Sequence, residues 1–530
     1  LEHNGAKVTK KISKGCPQGG VLSPFIWNIV FDPIIKELAK RNGGQAFADD
    51  LLIVQVGENI DILTRRTEEL VNQVVKWCNN IGLTIAAEKT EIIFWTRSTK
   101  ASPKKIKIGT HETEYSTHAK YLGVHIDNKL NFNKHIDQTA KKCKNTLIWI
   151  KRTIGKNWGI NPSRTEWIYK TIIIPKIAYA GVAWIHRANK KQENQIEAIQ
   201  TLAQRLITRG IKSTPGAWLN KILDMPPLTE KIKALAINRA ITLKQEGNWN
   251  YMPIQPNNNY ITNSQAIDQE LELIYKINPR INTDRIIPIN NLENKYKIII
   301  PERTSFRITK NPDKIKIFTD GSKSDQATGY GIHFTDPHME DIAEPMNSWT
   351  SIFQAEAKAI EIAAKTLLNH NIMNEDINIY SDSQAVMKAL NGKQINNTYI
   401  HETKQALNEL GQTNKVKLIW IPGHAGHEGN ETADKLAKEG SKKNNTHLNY
   451  IMPHSNLKQR IERHAKRHLD REYSTLNENA QIITNQFIKL NKNSIIATKK
   501  NLIKRSAEEI GILTRILSGH NNLNHHQNRA

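Results

Sequence analysis

KIKIFTDG, residues 314–321, is the stretch whose reading decides the fold. Ile315, Ile317 and Thr319 alternate with Lys314, Lys316 and Phe318, the period-2 pattern of a short strand. The strand delivers Asp320 to its end with Gly321 behind it. An acid so placed is either a turn cap or a metal ligand, because Asp-Gly is a common turn pair. The acids that follow favour the ligand. From Gln354 to Leu368 the spacing is helical, and Glu356 shares a face with Ala359, Ile360, Ala363 and Leu367. A carboxylate on a core-facing stripe either neutralises itself or holds a cation, since an unpaired buried charge is too costly. INIYSDS sets Asp382 at the end of a further strand. VKLIWIPGH then runs from a strand at Val416 into a Gly-rich loop, and Asn430 opens a helix that carries Asp434. Converging oxygen ligands of this kind suit Mg²⁺, with Mn²⁺ as the alternative. Paired, such ions activate a water and stabilise a leaving oxygen.

Taken together and in order, TDGS at 319–322, QAEAKAI at 354–360, YSDSQAV at 380–386 and PGHAGHEGNETADKLAK at 422–438 resemble a type 1 ribonuclease H. The resemblance covers about 311–445 and implies an α/β domain, a mixed five-stranded sheet flanked by helices. By the same resemblance Asp320, Glu356, Asp382 and Asp434 are catalytic, metal-binding carboxylates. His424 assists proton transfer or product release, and Ser322 and Asn430 touch the nucleic acid. Read alone, His424 is a solvated loop histidine. The implied reaction is hydrolysis of the RNA strand of an RNA–DNA hybrid, with strand choice resting on the 2′-hydroxyl and duplex shape. The segment between Asp382 and Val416 is short for both the usual helices and a basic handle, so affinity for hybrid has to come from elsewhere in the chain.

The first hundred residues hold a second constellation. KGCPQGGVLSPFIWNIVFDPIIKEL (14–38) is a Gly/Pro-rich loop feeding a helix that starts at Ser23 or Pro24. QAFADDLLIV (45–54) reads as a hairpin with Asp49 and Asp50 at its tip. With GLTIAAEKTEIIF (82–94) and YLGV (121–124), these stretches resemble the palm of a reverse transcriptase. That resemblance puts Asp49 and Asp50 at a polymerase metal site, Gln18 and Gly19 near the incoming nucleotide, and Lys89 near the pyrophosphate leaving group. Its partner is a template-primer duplex. Ala87 stands where relatives carry a polar residue. The family's further catalytic carboxylate lies on an earlier palm strand that has no counterpart here, and Asp32 belongs to the helix instead.

Composition is compatible with both halves. The 530 residues carry 75 Lys and Arg against 51 Asp and Glu, a net charge of +24, which favours a polyanionic partner. Cys16, Cys78 and Cys143 form no CxxC pair, so neither a disulfide framework nor a zinc site is expected, and a reducing, intracellular setting, nuclear or cytoplasmic, fits. The opening residues do not read as a signal peptide. The most apolar window, Trp167 to Ile185, contains Lys170, Pro175 and Lys176, which argues against a membrane span and for a packed helix followed by an extended piece. The expected divisions are a truncated palm over 1–127, a helical thumb and connection over 128–245, linker and connecting elements over 246–312, the ribonuclease H over 313–442 and a basic helical tail over 443–530. Tryptophans 149, 158, 167, 184 and 218 read mostly as core, and Lys151, Arg152 and Lys156 as candidate phosphate contacts. The terminal His520, His525 and His526 lack thiolate partners and are assigned no metal.

The whole pattern resembles a Jockey-like non-LTR (LINE-type) retrotransposon polyprotein. The alternative is a decayed element that keeps the fold and binds nucleic acid without catalysis. Polymerisation in trans is expected to need a second chain that supplies the further palm carboxylate, and the expected partners include self-association or a missing N-terminal polymerase/endonuclease segment. Primer extension on primed RNA with Mg²⁺ and nucleotides is therefore expected to stay blank with this chain alone, and clear extension would overturn that expectation.

Overall fold

Helical spacing governs most of residues 20 to 245, and strand and helix patterns alternate from residue 285 onward. The computed structural model describes residues 2–3, 6–7, 15, 19–40, 43–96, 105–155, 158–249, 262–275, 283–290, 293–302, 315–324, 327–336, 338–423, 425–443, 451–476, 484–487 and 495–519. The chain forms two compact units, Leu1–Gln138 and Thr139–Ala530.

In the first unit, α1 (Ser23–Lys40) is followed by an antiparallel hairpin of β1 (Gly44–Phe47) and β2 (Asp50–Ile53) and by α2 (Ile60–Asn80). Phe31, Ile34 and Leu38 of α1 meet Leu70, Val74 and Cys78 of α2 in one small core, each set spaced three or four apart. Asn59 caps α2 by accepting from the N–H groups of Asp61 and Ile62.

Helix α3 (Asn133–Arg152) leads into the second unit. There the apolar window is helical apart from a turn at Tyr179 and Ala180, as Pro162–Ile168, a wide turn at Tyr169–Ile173, Ile174–Ala178 and Gly181–Trp184. The expected extended piece is absent because Pro175 falls in the first turn of Ile174–Ala178, where a missing N–H leaves no bond unmade. No single helix among the described residues is long and apolar enough to cross a membrane. One bent pair, Pro162–Ala178 with Gly181–Arg187, passes by length and composition only. Tyr169, Ile173, Ile177 and Trp184 of that pair are buried in the unit. The tryptophans divide differently from the expectation. Trp184 and Trp218 are buried, but Trp149, Trp158 and Trp167 are exposed. Trp149 lies off the face of α3 that buries Ala140, Cys143 and Leu147, and its ring carries the Arg152 guanidinium at 4.7 Å. Further helices are α4 (Lys190–Thr208), α5 (Gly216–Ile222), α6 (Leu228–Gln245) and α7 (Asn263–Tyr275).

The strands follow as β3 (Arg285–Asn290), β4 (Lys297–Ile299), β5 (Ile315–Lys323), β6 (Thr328–Phe334) and β7 (Ile342–Met346). After α8 (Ile352–Asn369) come β8 (Asp376–Ser381), α9 (Gln384–Leu390), β9 (Gln394–Asn397), α10 (Thr398–Thr413), β10 (Lys415–Trp420) and α11 (Glu428–Lys442). One mixed sheet runs β4-β10-β8-β5-β6-β7, with the first four strands parallel and the last two antiparallel. It has six strands where five were expected. The extra edge strand β4 comes from 246–312 and pairs Ile298 with Leu418, while β3 pairs with β9 beside it. Ile317, Ile332, Ile360, Ala363, Leu367, Ile377, Ile379 and Leu418 fill the core.

Beyond the sheet, α12 (His454–Ser474) buries Leu457, Ile461, Ala465, Leu469 and Tyr473, a strict four-residue spacing. Its first three share a core with Ala234, Ile237 and Ile241 of α6 and with Ile267 and Leu271 of α7. Lys221 holds Asp470 at 2.6 Å and Lys466 holds Asp224 at 2.8 Å. The start of α12 is tied to the sheet domain by buried Asp284. One carboxylate oxygen accepts from the His454 N–H at 2.8 Å, and the other accepts from the side-chain amides of Gln354 at 3.0 Å and Asn397 at 2.9 Å. Asp284→Ala leaves three buried or part-buried donors without their charged acceptor. A stability loss of about 3 kcal/mol is expected from the urea midpoint of tryptophan fluorescence, with Asp284→Asn losing less. A loss below about 1 kcal/mol in the Ala variant would sink this account of the knot.

Candidate active site

Strand register alone brings the first two acids together. In the parallel pair β5–β8, Thr319 faces Ser381, so Asp320 and Asp382 stand side by side one residue further on. β5 does not end at Asp320. It continues through Lys323 against β6, with Asp320 opposite Gly331, so the acid sits where parallel pairing stops rather than at the strand's end. The backbone of Asp382 is fixed by the Trp420 indole, whose Nε1 donates to its carbonyl at 3.0 Å.

Glu356 enters from α8, whose start is set by a capping box between Ser351 and Gln354. The predicted core stripe holds, with Ala359, Ile360, Ala363 and Leu367 fully buried behind it. Gly321 makes the approach feasible, since a Cβ there would lie 2.7 Å from the Glu356 nitrogen and 2.9 Å from the Ala355 Cβ. The oxygens of Asp320, Glu356 and Asp382 come within 4.8 Å of one another. Asp434 arrives on α11 from the opposite face, because Gly331 and Gly329 let that helix lie directly on β6. It is held by Lys438 at 2.6 Å and reaches Asp320, while standing outside the tight group of three.

The electrostatics are those of crowded, buried acids. Burial first, then the charges of Asp382 and Asp434, push the Asp320 carboxyl up to about 7, against the pull of the Gly321 N–H. Burial and the charges of Asp320 and Asp382 raise Glu356 well above the carboxylate range. The Glu356 Oε2 atom is buried with no hydrogen-bond partner. An orphaned oxygen in an all-carboxylate pocket fits a hard divalent cation of the Mg²⁺ or Mn²⁺ class, ligated by Asp320, Glu356 and Asp382 with Asp434 beside them.

Of the other expected site residues, Asn430 is buried on α11 with its Oδ1 unpartnered, and Ser322 is half-buried on β5 opposite Gly329. His424 lies outside the described residues, as do Gln18 and Lys156. In the first unit, Asp49 and Asp50 are exposed at the hairpin tip, where Ala48 has φ 53° and its carbonyl accepts from the Trp27 indole at 2.9 Å. That left-handed alanine is a strained turn, a kind of conformation that clusters at functional sites. Burial, and after it the Asp50 charge, raises the Tyr121 phenol of YLGV. Gly19 is exposed at φ 86°, and Lys89 is exposed in the short turn Ala87–Lys89. Sequence reasoning missed Trp420, Lys438, Gly423 and Asp284. The Asp-Lys spacing of four within DKLAK could have indicated Lys438, and a Cβ on Gly423 would meet Asp382 Oδ2 at 2.6 Å.

A six-stranded sheet with four acids, one on a strand, one just past a strand and two on helices, is the arrangement of a ribonuclease H domain, and residues 312–442 match the family model described as RNase H. Residues 1–126 match the one described as reverse transcriptase (RNA-dependent DNA polymerase). The two matches and the relatives that follow support a LINE-type, non-LTR retrotransposon polyprotein. It is 26% identical over 261 residues to the putative 115 kDa protein in the type-1 retrotransposable element R1DM of Drosophila melanogaster, covering 47% of this chain and 25% of that protein. It is 24% identical over 220 residues to a Pol polyprotein from an R1 element of Nasonia vitripennis, covering 40% and 65%. To the RNA-directed DNA polymerase from mobile element jockey of Drosophila melanogaster it is 24% identical over 233 residues, covering 43% and 25%. The matches thus span less than two thirds of each relative. Among solved structures, RNase H1 from Halobacterium salinarum aligns at 22% identity and TM-score 0.20 over 24% of this chain and 96% of its own.

Raised acids give a signed pH dependence. Folded Asp320 and Glu356 keep protons that the unfolded chain releases near pH 4, so without divalent cation stability falls as pH rises from about 4 to 7. Thermal melts should show that fall, a larger stabilisation by Mg²⁺ at pH 8 than at pH 5, and a flatter cation-free profile in Asp320→Asn. Equal Mg²⁺ stabilisation at both pH values would rule out these acids as its ligands.

Proposed function

We propose that residues 313–442 hydrolyse the RNA strand of RNA–DNA hybrids, cutting internally at a carboxylate site loaded with two divalent metal ions. The observation that carries this reading is the gathering of Asp320, Glu356 and Asp382 within 4.8 Å around an unpartnered buried oxygen, with Asp434 adjoining. The match to the RNase H family over 312–442 supports it. Mg²⁺ bound there supplies Lewis acidity for activating a water and stabilising the departing 3′ oxygen. The chain's own residues supply the frame. Strand register sets Asp320 against Asp382, the capping box of α8 sets Glu356, and Lys438 orients Asp434. His424 would move a proton or release product from the loop beside Gly423. Asn430 and Ser322 would contact the strand being cut.

In the first unit, Asp49 and Asp50 would serve a template-primer duplex. Polymerisation by this unit alone is not part of the proposal.

The test is cleavage of an end-labelled hybrid in Mg²⁺, with double-stranded RNA and DNA as controls. Wild type is expected to cut only the RNA strand of the hybrid, and Asp320→Asn and Asp382→Asn to lose at least about a hundredfold in rate, the scale expected when a metal-bound group is removed. Tight binding without cutting by the wild type would replace this reading with a binding-only, decayed element.

A further inference from the structure

The helix α12 carries a basic face that the site above does not use. Its buried residues Leu457, Ile461, Ala465, Leu469 and Tyr473 recur every four positions and define the inner side. Arg460, Arg463, Arg467 and Arg471, at offsets of three, four and four, fall on the opposite side. Arg463, Arg467 and Arg471 are exposed and Arg460 is half-exposed. None of the four joins an ion pair among the described residues, and their one side-chain bond runs from Arg463 to Gln459 at 3.4 Å. Several other charged residues of the helix are engaged elsewhere. Lys466 holds Asp224, Asp470 holds Lys221, and His464 and His468 face Glu270 and Glu230. The outcome is an unneutralised line of guanidinium groups about 16 Å long, at roughly 1.5 Å of rise per residue.

We propose that this arginine line binds the phosphate backbone of the nucleic-acid duplex presented to the ribonuclease H site. One strand of a B-form duplex offers a phosphate about every 3.4 Å of axis, so the line spans roughly four or five of them. Arginine forks suit phosphate, and the face is apolar-poor, which disfavours a protein partner. The position is fixed relative to the acids. Asp284 ties His454 to Gln354, and Asn456 Nδ2 donates to the Trp349 carbonyl at 2.7 Å, both at the entry to the helix that bears Glu356. A duplex held along α12 is thereby held at a set distance from the site. This supplies the basic surface that the short segment between Asp382 and Val416 does not provide. The proposal rests on the hybrid-processing reading above.

The experiment is fluorescence anisotropy of the full chain with a labelled RNA–DNA hybrid, in EDTA so that nothing is cut, across a series of salt concentrations. Replacing all four arginines with Gln is expected to weaken binding at least tenfold and to make the slope of log K against log salt shallower by about 3 to 4. Replacing Arg463 and Arg467 alone should make it shallower by about 2, and replacing all four with Lys should retain most of the affinity. Circular dichroism reports the fold, and the double variant stands as the test should the quadruple one not fold. Affinity and slope unchanged in the folded Gln variants would overturn the proposal, as would arginine-dependent binding to phosphatidylserine vesicles with none to hybrid. Cleavage assayed in parallel separates the two readings. Cutting with arginine-independent binding rejects the arginine line alone, whereas arginine-dependent binding without cutting rejects the nuclease alone.

Discussion

Mutual repulsion among buried carboxylates is the constraint on which the second unit depends. Asp320, Glu356 and Asp382 are brought closer than like charges tolerate in a low-dielectric setting, and the raised affinity of Asp320 and Glu356 for protons records the strain. Such an arrangement persists only because the surroundings over-determine it. Parallel pairing of β5 with β8 fixes two of the acids by register, and a slip of one residue would put them on opposite faces of the sheet. Packing of Ala359, Ile360, Ala363 and Leu367 fixes the third. The fold thus holds ready a site whose relief is a divalent cation.

Much of this was legible because it is periodic. Alternation around Ile315 and Ile317, the helical stripe behind Glu356, and the strand before Asp382 each announce themselves in a few residues. What periodicity cannot carry is partnership at long range. β4 has three residues and no alternation worth reading, yet it extends the sheet because β10 leaves an edge that its backbone can pair. Asp284 is a single acid in a weakly patterned stretch, and its meaning lies in three donors more than sixty residues away. The tryptophans misled for a related reason. Aromatic bulk argues for burial on average, but Trp149 sits on the outer side of a helix whose inner side is already filled by smaller residues.

The C-terminal helices show the same limit in a different form. A basic amphipathic pattern gives the inner and outer sides of α12 but not what the inner side covers. The structure answers with α6 and α7, so the segment read as a tail completes a core begun more than two hundred residues earlier. Lys466 and Asp470, which look like solvated charges in sequence, are its clasps.

A polyanion approaching this unit meets an electrostatic contradiction, since the reacting site is itself built of acids. Cations held by the acids can reverse the local sign, but their influence fades within a Debye length of about 8 Å at physiological salt. Attraction over the rest of a duplex has to come from charges placed further out and left unneutralised. The net +24 of the chain does not locate them, because many lysines are spent on neighbouring acids, as Lys358 and Lys365 are on Glu361. The arginines of α12 are distinguished by having no such acid, and by standing on a helix pinned to the entry of α8. Separating the charges that attract from the charges that react lets each be set without compromising the other.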